Sequence, residues 1–557
     1  MAYVIGIDTG GTYTDTVLLD INAMGDFRVL KKAKAFTTKE KLEIGIRNSI
    51  KELKISKEEI GKIEKVVLST TLATNAIVEN FDYNVGLIAI GDLPKGILAT
   101  DKIRVVKGKM NIKGRVLVNL NEEAVKKAVE ELIPEVEAIA VTGLASIRNP
   151  IQEKQVEKVI ANCSNIPVVC GHEIVSELGY LERTNTAILN AGLLPIINNF
   201  VNAIISVLKE FDIQVPVFLV KGDGNITEIN TIKRAPIETV LSGPAASMIG
   251  AMRLTNKDNA IIADMGGTTT DSGLVVNRRI ELSPDGAIVG PWKIKIKSAK
   301  LYTFGLGGDS EITTENNVYK IGPKRVLPAC RGGSSITPTD ILHYTGTFTA
   351  WDRNKAVTVI NKKAVENRQE PQELVVGSEC AIIDKLFYEN ELIQKHPELP
   401  VCAIGAPVGI WYTKASESHG FDLLIPQDYD VANAVGAAAA EVREKVEFII
   451  RPGEEGYGYL LHTLHERYAF VDKEMAIVTG VKEAKEVLSN RIKEQKLEIG
   501  EIEVVCEDLF EGEDSIIKRN VVIDESDRVM VMDQGKDKYL ETKIIVAMGG
   551  KMFVDKL

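Results

Sequence analysis

The sequence predicts an α/β protein of two pseudo-repeated domains with a cleft between them, followed by a small α+β domain. Three observations carry that reading. Short runs of β-branched residues alternate with amphipathic helical segments through most of the 557 residues, the pattern of strands and helices in turn. The octapeptide Asp8–Asp15, DTGGTYTD, returns as Asp264–Asp271, DMGGTTTD, each copy following one apolar run and entering another. After Lys445 the texture changes: charge density rises and glycine turns of that kind disappear. The chain is also too long for a single core.

In chain order, Tyr3–Asp8 and Thr16–Ile21 flank the first glycine turn as the arms of a hairpin. Lys41–Leu53 has helical spacing, and Val66–Ser69 and Val85–Ile90 read as strands. Asn121–Leu132 reads as a helix capped by its Asn, with Glu123 in the first turn. The strand Ala138–Thr142, the helix Gln152–Ala161 and the strand Val168–Cys170 follow. Thr184–Leu208 is uncharged and long enough to span a membrane. Four asparagines in its first sixteen residues and Pro195 in its middle instead predict buried helices near a domain junction.

A second set begins with Val215–Val220 and includes the strand Ala260–Asp264. Glu238–Leu254 is expected to break at Gly243–Pro244 and continue as a helix of small residues. Asp430–Lys445 reads as another such helix, returning to the first domain, with an acidic start and a basic end that suit the helix dipole. Arg451-Pro-Gly-Glu-Glu-Gly reads as a turn, with short alternating strands and the helix Lys482–Gln495 beyond. The expected domains are 1–240, 241–445 and 446–557.

Composition is that of a globular protein: 45% hydrophobic, 26% charged, and 67 basic against 78 acidic residues for a net charge of −11. That balance argues against general affinity for nucleic acid or anionic membrane. The six cysteines are scattered without a Cys-x-x-Cys pair, which points to buried thiols in a reducing compartment and away from zinc or iron–sulfur frameworks. The N-terminal run is short, holds Asp8 and lacks a signal-peptide pattern, so a cytoplasmic location is expected.

The repeated turn suggests phosphate chemistry. Gly10, Gly11, Gly266 and Gly267 let backbone N–H groups approach an anion closely. Thr12, Thr14, Thr268 and Thr270 can add hydroxyl donors. Asp8 and Asp264 would repel phosphate directly, but they suit a magnesium ion held mainly through water. One such turn could be a simple hairpin; two, on related domains, read as two jaws closing on a triphosphate. Asp271 can either orient a nucleophile or cap its own turn. The glycine clusters Phe304–Ser310, with Gly307 and Gly308, and Ala403–Gly409, with Gly405, Ala406 and Gly409, are candidate further contacts to phosphate and adenosine respectively.

The order of these features resembles the actin, heat-shock chaperone and sugar-kinase ATPase superfamily, whose ribonuclease H-like domains grip ATP. The resemblance covers about the first 445 residues. Within it, IDTGGTYTD, STTLATNAIVE (Ser69–Glu79), LERTNTAILNAGLLP (Leu181–Pro195), RAPIETVLSGPAAS (Arg234–Ser247), ADMGGTTTD and RGGSSITPTDILHYTG (Arg331–Gly346) resemble the hydantoinase/oxoprolinase family, specifically its ATP-binding large subunit. That resemblance implies ATP and Mg2+ as cofactors. It implies activation of a cyclic amide such as 5-oxoproline or a hydantoin, or of a ketone, and a separate partner subunit. Thr70, Thr71, Asn75, Arg183 and Asn185, polar residues inside the matching phrases, are the substrate candidates. Tyr302 stands where the family usually has His, Asp309 where it has Gly, Leu68-Ser-Thr-Thr where it has His-Gly-Thr-Thr, and Gly222-Asp-Gly-Asn where it has Ser-Asn/Asp-Gly-Gly.

The expected reaction is phosphoryl transfer from ATP to a carbonyl oxygen, largely a matter of positioning and charge neutralisation. Asp8, Asp264 and Asp271 are the catalytic candidates. An ATP-driven conformational machine and a small-molecule kinase fit the same two-jaw plan.

Overall fold

The computed structural model describes residues 2–21, 27–38, 41–79, 84–112, 114–315, 318–453, 458–464, 466–495, 497–511, 516–523, 529–530 and 538–551. In the first lobe, the strand Ala2–Thr9 lies antiparallel to Tyr13–Ile21 and parallel to Ile63–Thr70. Phe27–Phe36 extends the sheet on one side, and Val217–Val220 and Ile226–Glu228 on the other. The second lobe repeats the arrangement: Ala260–Met265 is antiparallel to Thr270–Val276 and parallel to Val401–Ile404. Both central strands are apolar on both faces, as a sheet covered by helices requires.

Inserted into the first lobe is a wholly parallel four-stranded sheet, in the order Val168–Cys170, Ala138–Gly143, Val85–Ile90, Ile103–Val106. Asn121 caps the adjoining helix Glu122–Leu132, its side chain accepting from Ala124 N at 3.2 Å, as its position in the sequence suggests. The helix Tyr180–Glu210 packs against this insert and also against the helix Leu42–Leu53 of the first lobe. It runs unbroken through Pro195, where an interruption was expected. Proline removes one backbone donor and crowds the preceding turn at a cost of roughly 3 kcal/mol. Here Pro195 lies on the exposed side of the helix while Leu193, Leu194, Ile197 and Phe200 are buried around it, and that burial outweighs the local penalty. By length and composition this helix could cross a membrane.

Two small-residue helices, Ser242–Thr255 and Ala432–Ala439, cross between the lobes. The break expected at Gly243–Pro244 falls earlier, at Leu241, whose φ of 61° turns the chain; Gly243 and Pro244 are already in the first helical turn, where Pro is tolerated. The helix expected over Asp430–Lys445 is shorter, a 3-10 turn Tyr429–Val431 followed by Ala432–Ala439. Residues 442–445 instead open the strand Val442–Pro452, in which Val442, Val446, Phe448 and Ile450 are buried on a period of two, and which pairs along most of its length with Lys538–Lys551. That alternation, not helix propensity, decides the conformation.

The C-terminal sheet is antiparallel, in the order Arg467–Phe470, Tyr459–His462, Val442–Pro452, Lys538–Lys551, Glu498–Glu511, Ile516–Ile523, Val529–Met530. One face is covered by the helix Lys473–Glu494, which starts nine residues before the expected Lys482. Two of the strands run 14 residues, longer than anticipated. The turn expected from Arg451 enters residues outside those described. One apolar cluster joins Val4 and Val17 of the first lobe, Ile262 and Val275 of the second, the two crossing helices, and Phe448 and Ile544 of the C-terminal sheet.

Candidate functional site

The two Asp-x-Gly-Gly-Thr turns have the same backbone. Gly10 N–H donates to Tyr13 O at 3.0 Å, and Gly266 N–H to Thr269 O at 2.9 Å. In each hairpin the first and last aspartates are cross-strand partners, Asp8 with Asp15 and Asp264 with Asp271. The first glycine of each pair therefore closes its own turn. The N–H groups of Gly11, Thr12, Gly267 and Thr268 have no acceptor among the described residues, which leaves them available to an anion.

Two of the four threonines are placed differently from expectation. Thr14 is fully buried, its hydroxyl 3.0 Å from that of Thr37, and Thr270 donates to Leu306 O at 2.7 Å from an equally buried site. Period-two alternation turns these positions into the protein, so neither hydroxyl is free for phosphate. Gly307 and Gly308 are also already committed, Gly307 N–H to Ser310 Oγ at 2.8 Å and Gly308 N–H to Gly266 O at 3.0 Å. They brace the second turn from behind: a Cβ on Gly307 would lie 2.4 Å from Thr268 N.

Asp8 and Asp264 come together. Ser69 donates to Asp8, Ser247 Oγ donates to Asp264 Oδ2 at 2.6 Å, and Asn433 Nδ2 reaches Asp8 Oδ2 at 3.4 Å while also favouring the ionised form of Asp264. Burial pushes Asp8 up to about 6, opposed by the Ser69 hydrogen bond and reinforced by the charge of Asp15. It pushes Asp264 up to about 7, opposed by Ser247 and reinforced by Asp271 and Asp8. Asp271 is also raised by burial, and Thr303 Oγ1 donates to it at 2.6 Å. Thr303 therefore reaches the site, whereas Tyr302, next to it in the strand, lies under the ammonium groups of Lys300 and Lys395.

Gly405, at φ 100°, sits where a Cβ would be 3.0 Å from Asp264 Oδ1 and 2.3 Å from Met265 O, so the loop after Val401–Ile404 closes over the second turn. Ala406 is exposed, and Gly409 lies beside the Tyr429 hydroxyl.

The substrate candidates fall into two groups. Thr70 ends the strand beside the first turn and Thr71 precedes the helix Leu72–Val78, its N and Oγ1 both donating to Thr9 O at 3.3 Å, with Asn75 one helical turn further. Arg183 and Asn185 lie instead against the inserted sheet. Asn185 uses both ends of its amide, donating to Ile97 O and accepting from Ala99 N, each at 3.0 Å; it anchors that loop. Arg183 is fully buried and donates from Nη2 to Gly143 O and Leu144 O at 2.7 and 2.9 Å. Glu153, also fully buried, accepts from Gly143 N and from the His172 backbone and lies 2.6 Å from His172 Nδ1.

Sequence reasoning missed Ser69, Ser247, Asn433 and Arg325. The first two stand inside phrases already singled out, and Asn433 lies in the first turn of a small-residue helix. Arg325 carries no motif; it is placed by its strand, Val318–Arg325, where Nη2 donates to Thr12 Oγ1 at 3.0 Å and to Asp309 Oδ2 at 3.0 Å.

The chain is 28% identical over 389 residues to the acetophenone carboxylase gamma subunit of Aromatoleum aromaticum, covering 60% of this chain and 52% of that protein. It is 25% identical over 375 residues to the caprolactamase subunit alpha of Pseudomonas jessenii, covering 60% and 53%. It thus spans about half the length of these curated relatives. Its fold matches a nucleotide-free acetone carboxylase structure (TM-score 0.74) and the ATP-dependent caprolactamase of P. jessenii (TM-score 0.75), each 19% identical and covering 99% of this chain and 88% of the matched one. With the hydantoinase/oxoprolinase N-terminal region matching residues 4–164 and the hydantoinase/oxoprolinase domain matching residues 183–350, the chain belongs to the hydantoinase/oxoprolinase family.

Proposed function

We propose that the protein is an ATP-dependent carbonyl-activating subunit that transfers the terminal phosphoryl group of ATP to the carbonyl oxygen of a cyclic amide, such as a 5-oxoproline- or hydantoin-like ring, or of a related carbonyl compound. The observation that carries this reading is the pair of equivalent glycine turns, each with N–H groups that no described residue accepts from, flanking the enclosed carboxyls of Asp8 and Asp264. The names of similar proteins, an ATP-dependent caprolactamase and two carboxylase subunits, fit the same chemistry.

The donor set suits a divalent cation. Two neighbouring carboxyls, both raised by burial, are costly to ionise without a counter-charge, and hydroxyl and amide groups already orient them. Asp8 and Asp264 would hold Mg2+ through water, and the ion would supply charge neutralisation for phosphoryl transfer. Gly11, Thr12, Gly267 and Thr268 would bind the phosphates, with Gly10 and Gly266 closing the turns. Gly405, Ala406 and Gly409 would flank the adenosine. Asp271, fixed by Thr303, would orient the nucleophile. In the balanced reaction the carbonyl oxygen gains the phosphoryl group as its bond to the ADP oxygen breaks. One water then adds at the activated carbon as the C–N bond opens, and a second releases inorganic phosphate. Thr70, Thr71 and Asn75, beside the first turn, are the better-placed substrate contacts; Arg183 lies against the inserted sheet. Subunit names among the relatives support a separate partner chain; a cytoplasmic location is proposed on the sequence alone.

The test is ADP release from MgATP by the full chain with a panel of lactams, hydantoins and ketones, and with Asp264→Ala as control. Stimulation by one class, lost in the variant, supports the reading. A stable phosphorylated product would make it a kinase, and stimulation only by a partner protein would make it a conformational machine.

A further inference from the structure

Arg325 and Asp309 lie between the two glycine turns and join them. The carboxylate of Asp309 takes Nε at 3.2 Å and Nη2 at 3.0 Å, while Nη2 also reaches Thr12 Oγ1 at 3.0 Å. Thr12 belongs to the first turn. Asp309 belongs to the second: its N–H donates to Gly267 O at 2.7 Å, and its Oδ2 lies 3.2 Å from where a Cβ on Gly267 would stand. Nη1 is engaged by no described residue, and the guanidinium is partly exposed. A carboxylate at this place opposes phosphate, since like charges repel in a low-dielectric cleft. Arginine is the side chain suited to relieve that opposition, because its planar fork can hold a carboxylate on one edge and offer donors to a phosphate oxygen from the other.

We propose that Arg325 is a phosphate-binding residue acting from within the same chain, engaging the terminal phosphate of a triphosphate held between the turns, and that Asp309 is the positioning residue that fixes its guanidinium there. The assignment rests on the ATP reading above and deepens it. Arg325 reaches across from the second lobe to a threonine of the first, so its contact is made only when the lobes stand in this relation. It can therefore distinguish a triphosphate from a diphosphate, which lacks the terminal group, by one charge-assisted interaction. No group moves from Arg325 to substrate; its role is to neutralise charge on the transferring phosphoryl group.

The experiment is calorimetric titration of the full chain with Mg2+ and either ADP or a non-hydrolysable ATP analogue, for wild type, Arg325→Ala, Arg325→Lys and Asp309→Asn. The expected result for Arg325→Ala is a loss of analogue affinity of about 10- to 100-fold, the size of one charge-assisted hydrogen bond, with ADP affinity changed less than about 3-fold. Arg325→Lys should fall between, retaining charge but not the fork. Asp309→Asn should lower the preference for the analogue over ADP while leaving thermal stability unchanged. Equal loss for both nucleotides, or no loss, in a folded Arg325→Ala protein overturns the assignment alone. Failure of the wild-type chain to bind either nucleotide overturns the ATP reading and this assignment with it.

Discussion

Gly250 and Gly436 meet where the two interlobe helices cross. A Cβ on Gly250 would stand 1.9 Å from Ala432 O and 3.0 Å from Gly436 N; one on Gly436 would stand 1.8 Å from Ala246 O and 2.6 Å from Gly250 N. Each helix thus lies against the backbone of the other, and no side chain, however flexible, can move aside to admit a methyl group.

Gly250→Ala or Gly436→Ala is therefore expected to destabilise the protein by about 3 kcal/mol or more, from overpacking against backbone. Urea denaturation measures this directly, and a midpoint within error of wild type for either variant would contradict the packing described.

The aspartate pair makes stability depend on pH in a defined direction. Both carboxyls are raised from 3.8, to about 6 and about 7, so the folded state holds protons that the unfolded chain has released. Their contribution is present below about pH 4 and is lost as pH rises through about 6 to 7. With divalent cations removed, Asp264→Asn should melt above wild type at pH 8, and the gap should close at pH 5. Added Mg2+ should raise the wild-type Tm more at pH 8 than at pH 5. Scanning calorimetry across pH would expose the opposite trend.

Thr12 and Thr14 are two residues apart and should respond differently. Thr12→Ala is expected to raise KM for ATP about 5- to 10-fold with little change in Tm, the effect of one lost hydrogen bond. Thr14→Val should lower stability by roughly 1 kcal/mol, leaving the Thr37 hydroxyl without its buried partner, and hardly touch KM. Parallel kinetics and melting curves separate the two.

Asn185→Ala removes a donor and an acceptor at once and leaves Ile97 O and Ala99 N unpaired. A loss of about 2 kcal/mol is expected, with nucleotide affinity unaltered. Retained stability with impaired turnover would return Asn185 to the substrate site.

Much of the architecture was legible because its signals are local. The octapeptide repeat and its apolar flanks placed both hairpins, and strands such as Val85–Ile90 and Val168–Cys170 follow from runs of apolar and β-branched residues. Where reading failed, distant partners decided. Residues 442–445 have helix-compatible composition, yet their hydrogen bonds come from Lys538–Lys551, about a hundred positions away. At the site, residue type identified the aspartates and glycines, but not which hydroxyls were spent inside the fold: Thr14 and Thr270 are buried within strands, whereas Thr12 stands in the turn itself, within reach of Arg325. Arg325 was invisible because its meaning lies in Thr12 and Asp309, and only tertiary structure brings the three together.

Only Ala440 and Glu441 separate the crossing helix Ala432–Ala439 from the strand Val442–Pro452. That join is itself pinned, with Ile226 N–H donating to Glu441 O at 3.0 Å. So short a coupling has no slack in which rotation could be lost. The C-terminal sheet therefore continues the crossing helix with no free linker between them, and the shared apolar cluster seats it against both lobes. If the crossing helix rotates when nucleotide binds, the sheet is expected to shift with it, and a fluorophore pair spanning Glu474 and the first lobe would read that shift.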